Sequence, residues 1–228
     1  LIFSLVSYYL LTMKTMTDVQ TPTPDCGLCP RLKDFRTENA TKFPDKFNAP
    51  VPAFGGLDAQ VLITGLAPGL KGANFSGRPF TGDYAGDLLY DTLGKFGFAK
   101  GTYAKHADDG LELVNCRISN AVKCVPPQNK PTGEEIATCL PFIQSEIAAM
   151  SNLKVVIALG LIAHNAALRC FDQKLSAFKF GHCAQHQITP DVILIDSYHC
   201  SRYNTQTRRL TPEMFEDVFE AVTKTLTK

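Results

Sequence analysis

Four short apolar runs, Val61 to Thr64, Arg117 to Val122, Lys154 to Leu159 and Val192 to Asp196, alternate along the chain with longer stretches of helical period. The helical stretches are Ala85 to Phe96, Thr132 to Met150, Leu161 to Phe171 and, after the last run, Pro212 to Leu226. The runs are apolar on both faces, so each predicts a strand covered from both sides, and the connections are too long for hairpins. Strand and helix in alternation imply an α/β protein built on a parallel sheet. Thr132 with Glu135 three residues on is a capping box, and Thr211 followed by Pro212 opens the last helix with proline at its first position. A shorter helix is expected from Arg31 to Arg36, and Pro44 to Pro52 reads as an irregular linker into the first strand.

A chain of 228 residues suits one domain with small additions. The opening LIFSLVSYYLLTMKTMTDVQ carries about a dozen mostly apolar residues before Lys14, short of the ~20 that span a bilayer. It also lacks the basic start and small-residue cleavage site of a signal peptide. Residues 1–20 are therefore read as a leader artefact or disordered extension, with Met13 or Met16 as the start, and residues 21–228 as a single domain. A cytoplasmic protein without membrane attachment is expected. The net charge of +1 neither requires nor excludes nucleic acid, because binding depends on where the basic residues sit. Arg202, Arg208 and Arg209 sit in the segment from Ser197 to Leu210, whose only charged side chains are basic.

The strand ends carry the polar groups. After Val61 to Thr64 come Gly65, Leu66, Ala67, Pro68 and Gly69, a turn whose backbone N–H groups can approach a ligand with no Cβ in the way. Gly77 to Asp83 then sets Phe80 and Asp83 between glycines, a ring to stack on and a carboxylate to steer water. Asn120 lies in the second strand, and Ser197, Tyr198 and His199 follow the fourth. Parallel strands bring these ends to one edge of the sheet, where α/β proteins bind ligands.

Eight cysteines without an export signal point to metal or redox chemistry rather than disulfides. Cys26 and Cys29 form a C-x-x-C, half of a four-thiolate site, and Cys124 and Cys139 are the best partners. Cys26 does not follow a strand in a βαβ unit, which disfavours a redox pair. Zinc and an iron–sulfur cluster both suit four thiolates, and spacing does not choose between them. Cys116, Cys170, Cys183 and Cys200 read as packing residues.

Four motifs in order, GLAPG at Gly65 to Gly69, GRPFTGD at Gly77 to Asp83, NAVKCVPPQNKPT at Asn120 to Thr132 and SYHCSRYNTQTRRLTP at Ser197 to Pro212, resemble those of the family 5 uracil-DNA glycosylases. The resemblance runs from about Cys26 to the C-terminus. It implies a three-layer α/β/α fold with a central four-stranded parallel sheet and a structural [4Fe–4S] cluster on Cys26, Cys29, Cys124 and Cys139. It also implies hydrolysis of the N-glycosidic bond of uracil in DNA, at the start of base excision repair, by a monomer with a pocket broad enough for other deaminated bases such as hypoxanthine.

On that resemblance Phe80 stacks on the flipped base, and Asn120 reads its Watson–Crick edge. His199 hydrogen-bonds the base oxygen that gathers charge, and Asp83 handles the attacking water. The loop holding Ser201, Arg202, Tyr203, Asn204, Arg208 and Arg209 contacts DNA, with the arginines on phosphates and Tyr203 filling the vacated stack. The chain has Leu66 and Ala67 where several related branches carry an acid or amide, as family 5 does, and Cys200 where the family usually has proline. A non-catalytic damaged-DNA-binding protein of the same fold is the second expectation. A phosphate-binding nucleotide hydrolase is a third, disfavoured by the absence of a P-loop sequence.

Overall fold

The computed structural model describes residues 19–227; most of the expected leader, residues 1–18, lies outside them. The α/β sandwich expected from the pattern is present. Strands β1 (Val61–Gly65), β4 (Cys116–Asn120), β5 (Val155–Leu159) and β7 (Ile193–Ser197) form the parallel core in the order β4-β1-β5-β7. β1 and β5 are buried at every residue, which explains their unbroken apolar sequence.

The sheet has one strand more than the sequence suggests. β6 (Gln185–Gln187) pairs antiparallel with β7 and closes that edge. Its sequence, Gln-His-Gln, offers no apolar alternation, and its place is set by pairing rather than propensity. The other edge is blunted by the Pro-rich segment, which does more than link. Phe54 and Ile118 exchange backbone hydrogen bonds of 2.9 and 2.7 Å, and the Val51 N–H donates to the Lys123 carbonyl at 2.7 Å. A second, two-stranded sheet, β2 (Ala99–Lys100) with β3 (Glu112–Leu113), carries the loop between them to the carboxyl edge of the main sheet.

Helices cover both faces. They are α1 (Pro30–Lys42), α2 (Ala73–Ser76), α3 (Tyr84–Lys95), α4 (Gly133–Ala149), α5 (Leu161–Cys170), α6 (Arg202–Gln206) and α7 (Pro212–Leu226). α3 and α7 share one hydrophobic core with β1, β5 and β7, in which Leu89, Leu93, Phe215, Val218, Phe219 and Val222 are fully buried. Each such side chain contributes roughly 1.5–3 kcal/mol. α5 packs on the opposite face against Leu62, Val156 and Leu194. Alternating β residues thus serve different cores, as period 2 requires.

The expected caps are present. In the capping box the Glu135 N–H donates to Thr132 Oγ1 at 3.2 Å and the Thr132 N–H to Glu135 at 2.7 Å. The Thr211 hydroxyl accepts from the Met214 N–H at 3.2 Å. α4 is bound to β4 by a buried ion network, in which Glu146 takes Lys123 at 2.6 Å and Arg117 at 3.2 Å.

Candidate functional site

The carboxyl ends of β1 and β4 lie side by side, with Gly65 in register with Asn120. β7 ends at Ser197, two residues before His199. Ser197 is anchored across the edge when its carbonyl accepts from the Gly160 N–H at 2.8 Å. Asp196, one residue earlier and fully buried, takes His164 on one carboxylate oxygen at 2.7 Å and His186 on the other at 3.2 Å. These contacts fix where the last strand releases the chain.

Above this edge opens a cleft of about 660 Å³, lined by Leu66, Ala67, Pro68, Gly69, Phe80, Asp83, Asn120, His199, Ser201 and Arg202. The motifs separated in sequence therefore meet at one place. Two polar atoms of its wall, Asn120 Oδ1 and His199 Nδ1, are buried with no hydrogen-bond partner among the described residues. A buried polar group left unpaired costs about 1–3 kcal/mol, a cost that sets this stretch of the cleft wall apart from the well-paired core. Burial pushes the His199 imidazole down to about 4, so it is neutral at physiological pH, with one N–H to donate.

Phe80 forms the wall beside His199, its ring centroid 5.9 Å away and tilted by 30°. It has a positive φ of 53°, unusual for a bulky residue, and is 7 % exposed. Gly65 makes this possible: a Cβ there would stand 2.7 Å from Phe80 Cζ and overlap Asn120 Oδ1. The expectation that the missing Cβ of Gly65 lets its backbone N–H approach a ligand is thus amended, because side chains of the site itself take that room.

Asp83 is the N-cap of α3, its Oδ1 accepting from the Gly86 N–H at 3.3 Å. The capping and water-handling readings of this residue are therefore compatible. Its other oxygen packs closely against two glycines: a Cβ on Gly69 would lie 3.1 Å from Oδ2, and one on Gly72 would lie 2.8 Å from Cγ. Burial holds its carboxyl above the ordinary range, against the opposing backbone hydrogen bonds from Gly86 and Ala85.

The expected DNA loop contains a helical turn, α6, capped by Ser201. Tyr203 is 71 % exposed at its start. The Arg202 guanidinium lies over the Tyr84 ring at 5.4 Å and that of Arg209 over Tyr198 at 4.7 Å, while Arg208 is exposed with φ 56°. Asn204 has an internal contact instead of a free side chain, donating to the His199 carbonyl at 2.8 Å. Sequence reasoning missed Lys71, Lys105, Tyr84 and Asn129, which also line the cleft. Only Asn129, inside the PPQNKP stretch, lay in a motif already singled out.

Cys26, Cys29, Cys124 and Cys139 line a second, small hollow with Leu32, Arg36, Val122 and Phe142. Ala67 of the cleft wall packs against the same cluster of residues, so the two sites adjoin. Sulfur acceptors are already served: Arg36 Nη1 donates to Cys124 Sγ at 2.9 Å and the Lys123 N–H to Cys139 Sγ at 3.3 Å. Burial, then the neighbouring Cys124, Glu135 and Cys26, hold the Cys29 thiol up at about 11, and burial holds Cys139 up at about 12. Cys124 and Cys139 are buried and Cys26 and Cys29 half-buried, and the aligned donors suit thiolates that ligate a metal ion or cluster. Arg31 completes the frame by gripping Glu135 of α4 with two hydrogen bonds of 2.8 and 2.7 Å.

Comparison with known proteins agrees with this geometry. The description "Uracil DNA glycosylase superfamily" matches residues 52–223. The chain is similar to the type-5 uracil-DNA glycosylase of Thermus thermophilus, 42% identical over 88% of this chain and 93% of that protein. It is similar also to the type-5 enzymes of Mycobacterium leprae, 39% identical over 87% of this chain and 90% of that protein, and Mycobacterium bovis, 38% identical over 87% and 77%.

Proposed function

Since the chain belongs to the uracil DNA glycosylase superfamily, we propose that it acts as a type-5 uracil-DNA glycosylase. It hydrolyses the N-glycosidic bond of uracil in DNA and so initiates base excision repair. The observation that carries this reading is the convergence of Phe80, Asp83, Asn120 and His199, from motifs far apart in sequence, in one cleft at the sheet edge.

Cleavage builds positive charge on the sugar and negative charge on the departing base, so both must be stabilised. The target nucleotide leaves the duplex at a cost of a few kcal/mol, least for a mispaired base. Phe80 stacks on the base, and the Asn120 amide, acceptor and donor in one group, pairs with its Watson–Crick edge. Neutral His199 donates to the base oxygen without giving up a proton. The Asp83 carboxylate, held by the N-terminus of α3 in the cleft wall, orients and deprotonates water and faces the cationic sugar. Apolar Leu66 and Ala67 leave that task to Asp83.

The same proposal assigns a [4Fe–4S] cluster to Cys26, Cys29, Cys124 and Cys139. Hydrolysis transfers no electrons, so the cluster is structural, tying α1 and α4 to the exit of β4 behind the cleft wall. A roomy cleft further suits other deaminated bases, hypoxanthine among them. We take residues 21–228 to form one glycosylase domain, acting as a monomer in the cytoplasm. Among the described residues no helix is long and apolar enough to cross a membrane.

The test is to incubate purified protein with oligonucleotides carrying one uracil, single-stranded and paired with guanine, and to look for alkali-labile abasic sites. Strand breaks at the uracil position are expected. Tight binding without breaks would favour the non-catalytic DNA-binding reading.

A further inference from the structure

We infer that the β2–β3 connection, residues 101–111, is part of the reaction machinery, with Tyr103 and Asp109 as positioning residues that hold Phe80 and the turn into Asp83. This inference rests on the glycosylase reading for its activity measurements.

Phe80 lies in the left-handed region, so something must hold it there. Tyr103 spans the strained turn: its hydroxyl donates to the Phe80 carbonyl at 3.2 Å and accepts from the Gly82 N–H at 3.2 Å. Phe80 and Gly82, the residues on either side of Thr81, are thus joined by a single oxygen. Asp109, whose side chain is fully buried, grips Arg78 at the start of the same motif through two hydrogen bonds of 2.7 Å. It also accepts from the Ala104 N–H at 2.9 Å and the Leu111 N–H at 3.0 Å, which folds the connection around the carboxylate. The Arg78 guanidinium in turn donates from Nε to Thr81 Oγ1 at 2.8 Å and lies over the Phe54, Tyr90 and Tyr103 rings at 5.0, 5.4 and 5.8 Å.

The chain of contacts runs from Asp109 through Arg78 to Thr81, and from Tyr103 directly to Phe80 and Gly82. Neither Tyr103 nor Asp109 lines the cleft, so neither touches the base. Their effect is on where the ring and the carboxylate stand, and a shift of about 1 Å at such groups costs up to about 100-fold in rate.

Tyr103→Phe removes the bridging oxygen and keeps the ring. Single-turnover cleavage of a uracil·guanine duplex should show a maximal rate lowered about tenfold, with half-saturating enzyme concentration changed less than about twofold, the pattern for groups that act only in the transition state. Leu113→Ala, in the same two-stranded sheet but with no part in the hydrogen bonds that Tyr103 makes to Phe80 and Gly82, serves as the destabilised control. It should lower the melting temperature at least as much and leave the maximal rate within about twofold. Amide hydrogen exchange gives a readout without substrate: the peptide spanning residues 79–83 should exchange faster in Tyr103→Phe and not in Leu113→Ala.

An unchanged maximal rate in Tyr103→Phe, or equal losses in both variants, overturns the inference. A wild-type protein that releases no uracil would count against the glycosylase reading, and the exchange comparison would then decide the clamp alone. Unchanged exchange at 79–83 in Tyr103→Phe overturns it.

Discussion

Asp83 carries two duties that pull its carboxyl in opposite directions. As the N-cap of α3 it accepts backbone N–H groups, which favour the ionised form, yet burial in the cleft wall dominates and holds its proton on above the ordinary carboxylate range. A carboxyl raised in the folded state binds a proton there that the unfolded chain has released, so its contribution to stability falls as pH rises through that window and stays lost above it. Asp83→Asn keeps the capping oxygen and removes the buried charge. Cleavage should fall by about 100-fold or more while DNA binding holds, and the melting temperature at neutral pH should rise, the gain vanishing below about pH 4. Single-turnover assays and thermal scans across pH check both arms, and an unimpaired variant would move the water-handling role to His199. That imidazole runs the other way. Its folded value near 4 lies below the ordinary 6.5, so its contribution to stability is full above about pH 6.5 and is lost as pH falls towards 4.

At the scale of elements, the five residues of α6 are too few to be stable alone and are held by Ser201 at one end and by Asn204 on the His199 carbonyl. This short rigid turn presents Tyr203 outward. If the ring fills the stack vacated by a flipped base, Tyr203→Ala should impair cleavage of uracil in a duplex much more than in a single strand, where there is no stack to repair. Equal losses on the two substrates would leave Tyr203 without that role. The cysteine hollow joins other elements, α1 and α4 to the segment after β4. Cys124→Ala should therefore abolish bound iron and sulfide, measured chemically in anaerobically purified protein, and lower the soluble yield. Cys170→Ala, at the end of α5 and outside the hollow, should keep both. Stoichiometric zinc in place of iron would overturn the cluster assignment.

Over the whole molecule the charge nearly cancels, at +1, but its distribution does not. Lys71, Lys105 and Arg202 line the cleft, and the exposed Arg208 and Arg209 follow α6 along the chain. Lys105 is held by Asp87 at 2.9 Å, both exposed, so that pair stabilises little and competes weakly with phosphate. Replacing Arg208 and Arg209 together by Ala should weaken binding to damaged and undamaged duplex alike and flatten its salt dependence by about two phosphate contacts. A salt titration by fluorescence anisotropy reads this, and an unchanged slope would place the phosphate contacts elsewhere, with Lys71 and Lys105 next in line.

The sequence by itself determined the parallel core and the side on which the site lies. Val61 to Ile63 and Val155 to Leu159 are apolar throughout because both their faces are covered, and a parallel sheet sends all its strand ends to one edge. Asp83, Asn120 and His199 were legible for the same reason, since each lies at or just beyond the end of such a strand or at a helix start, and Phe80 through the glycine-flanked motif that holds it. Only the tertiary structure decided which groups hold them. β6 is polar and short, and exists because β7 offers it an edge. Tyr103 and Asp109 carry no motif in their own stretch of chain and matter through residues about 20 to 30 positions away. Local pattern records burial and period, which each residue meets with its neighbours along the chain. A clamp on a strained turn is made of hydrogen bonds across the fold, and those have no trace in local sequence.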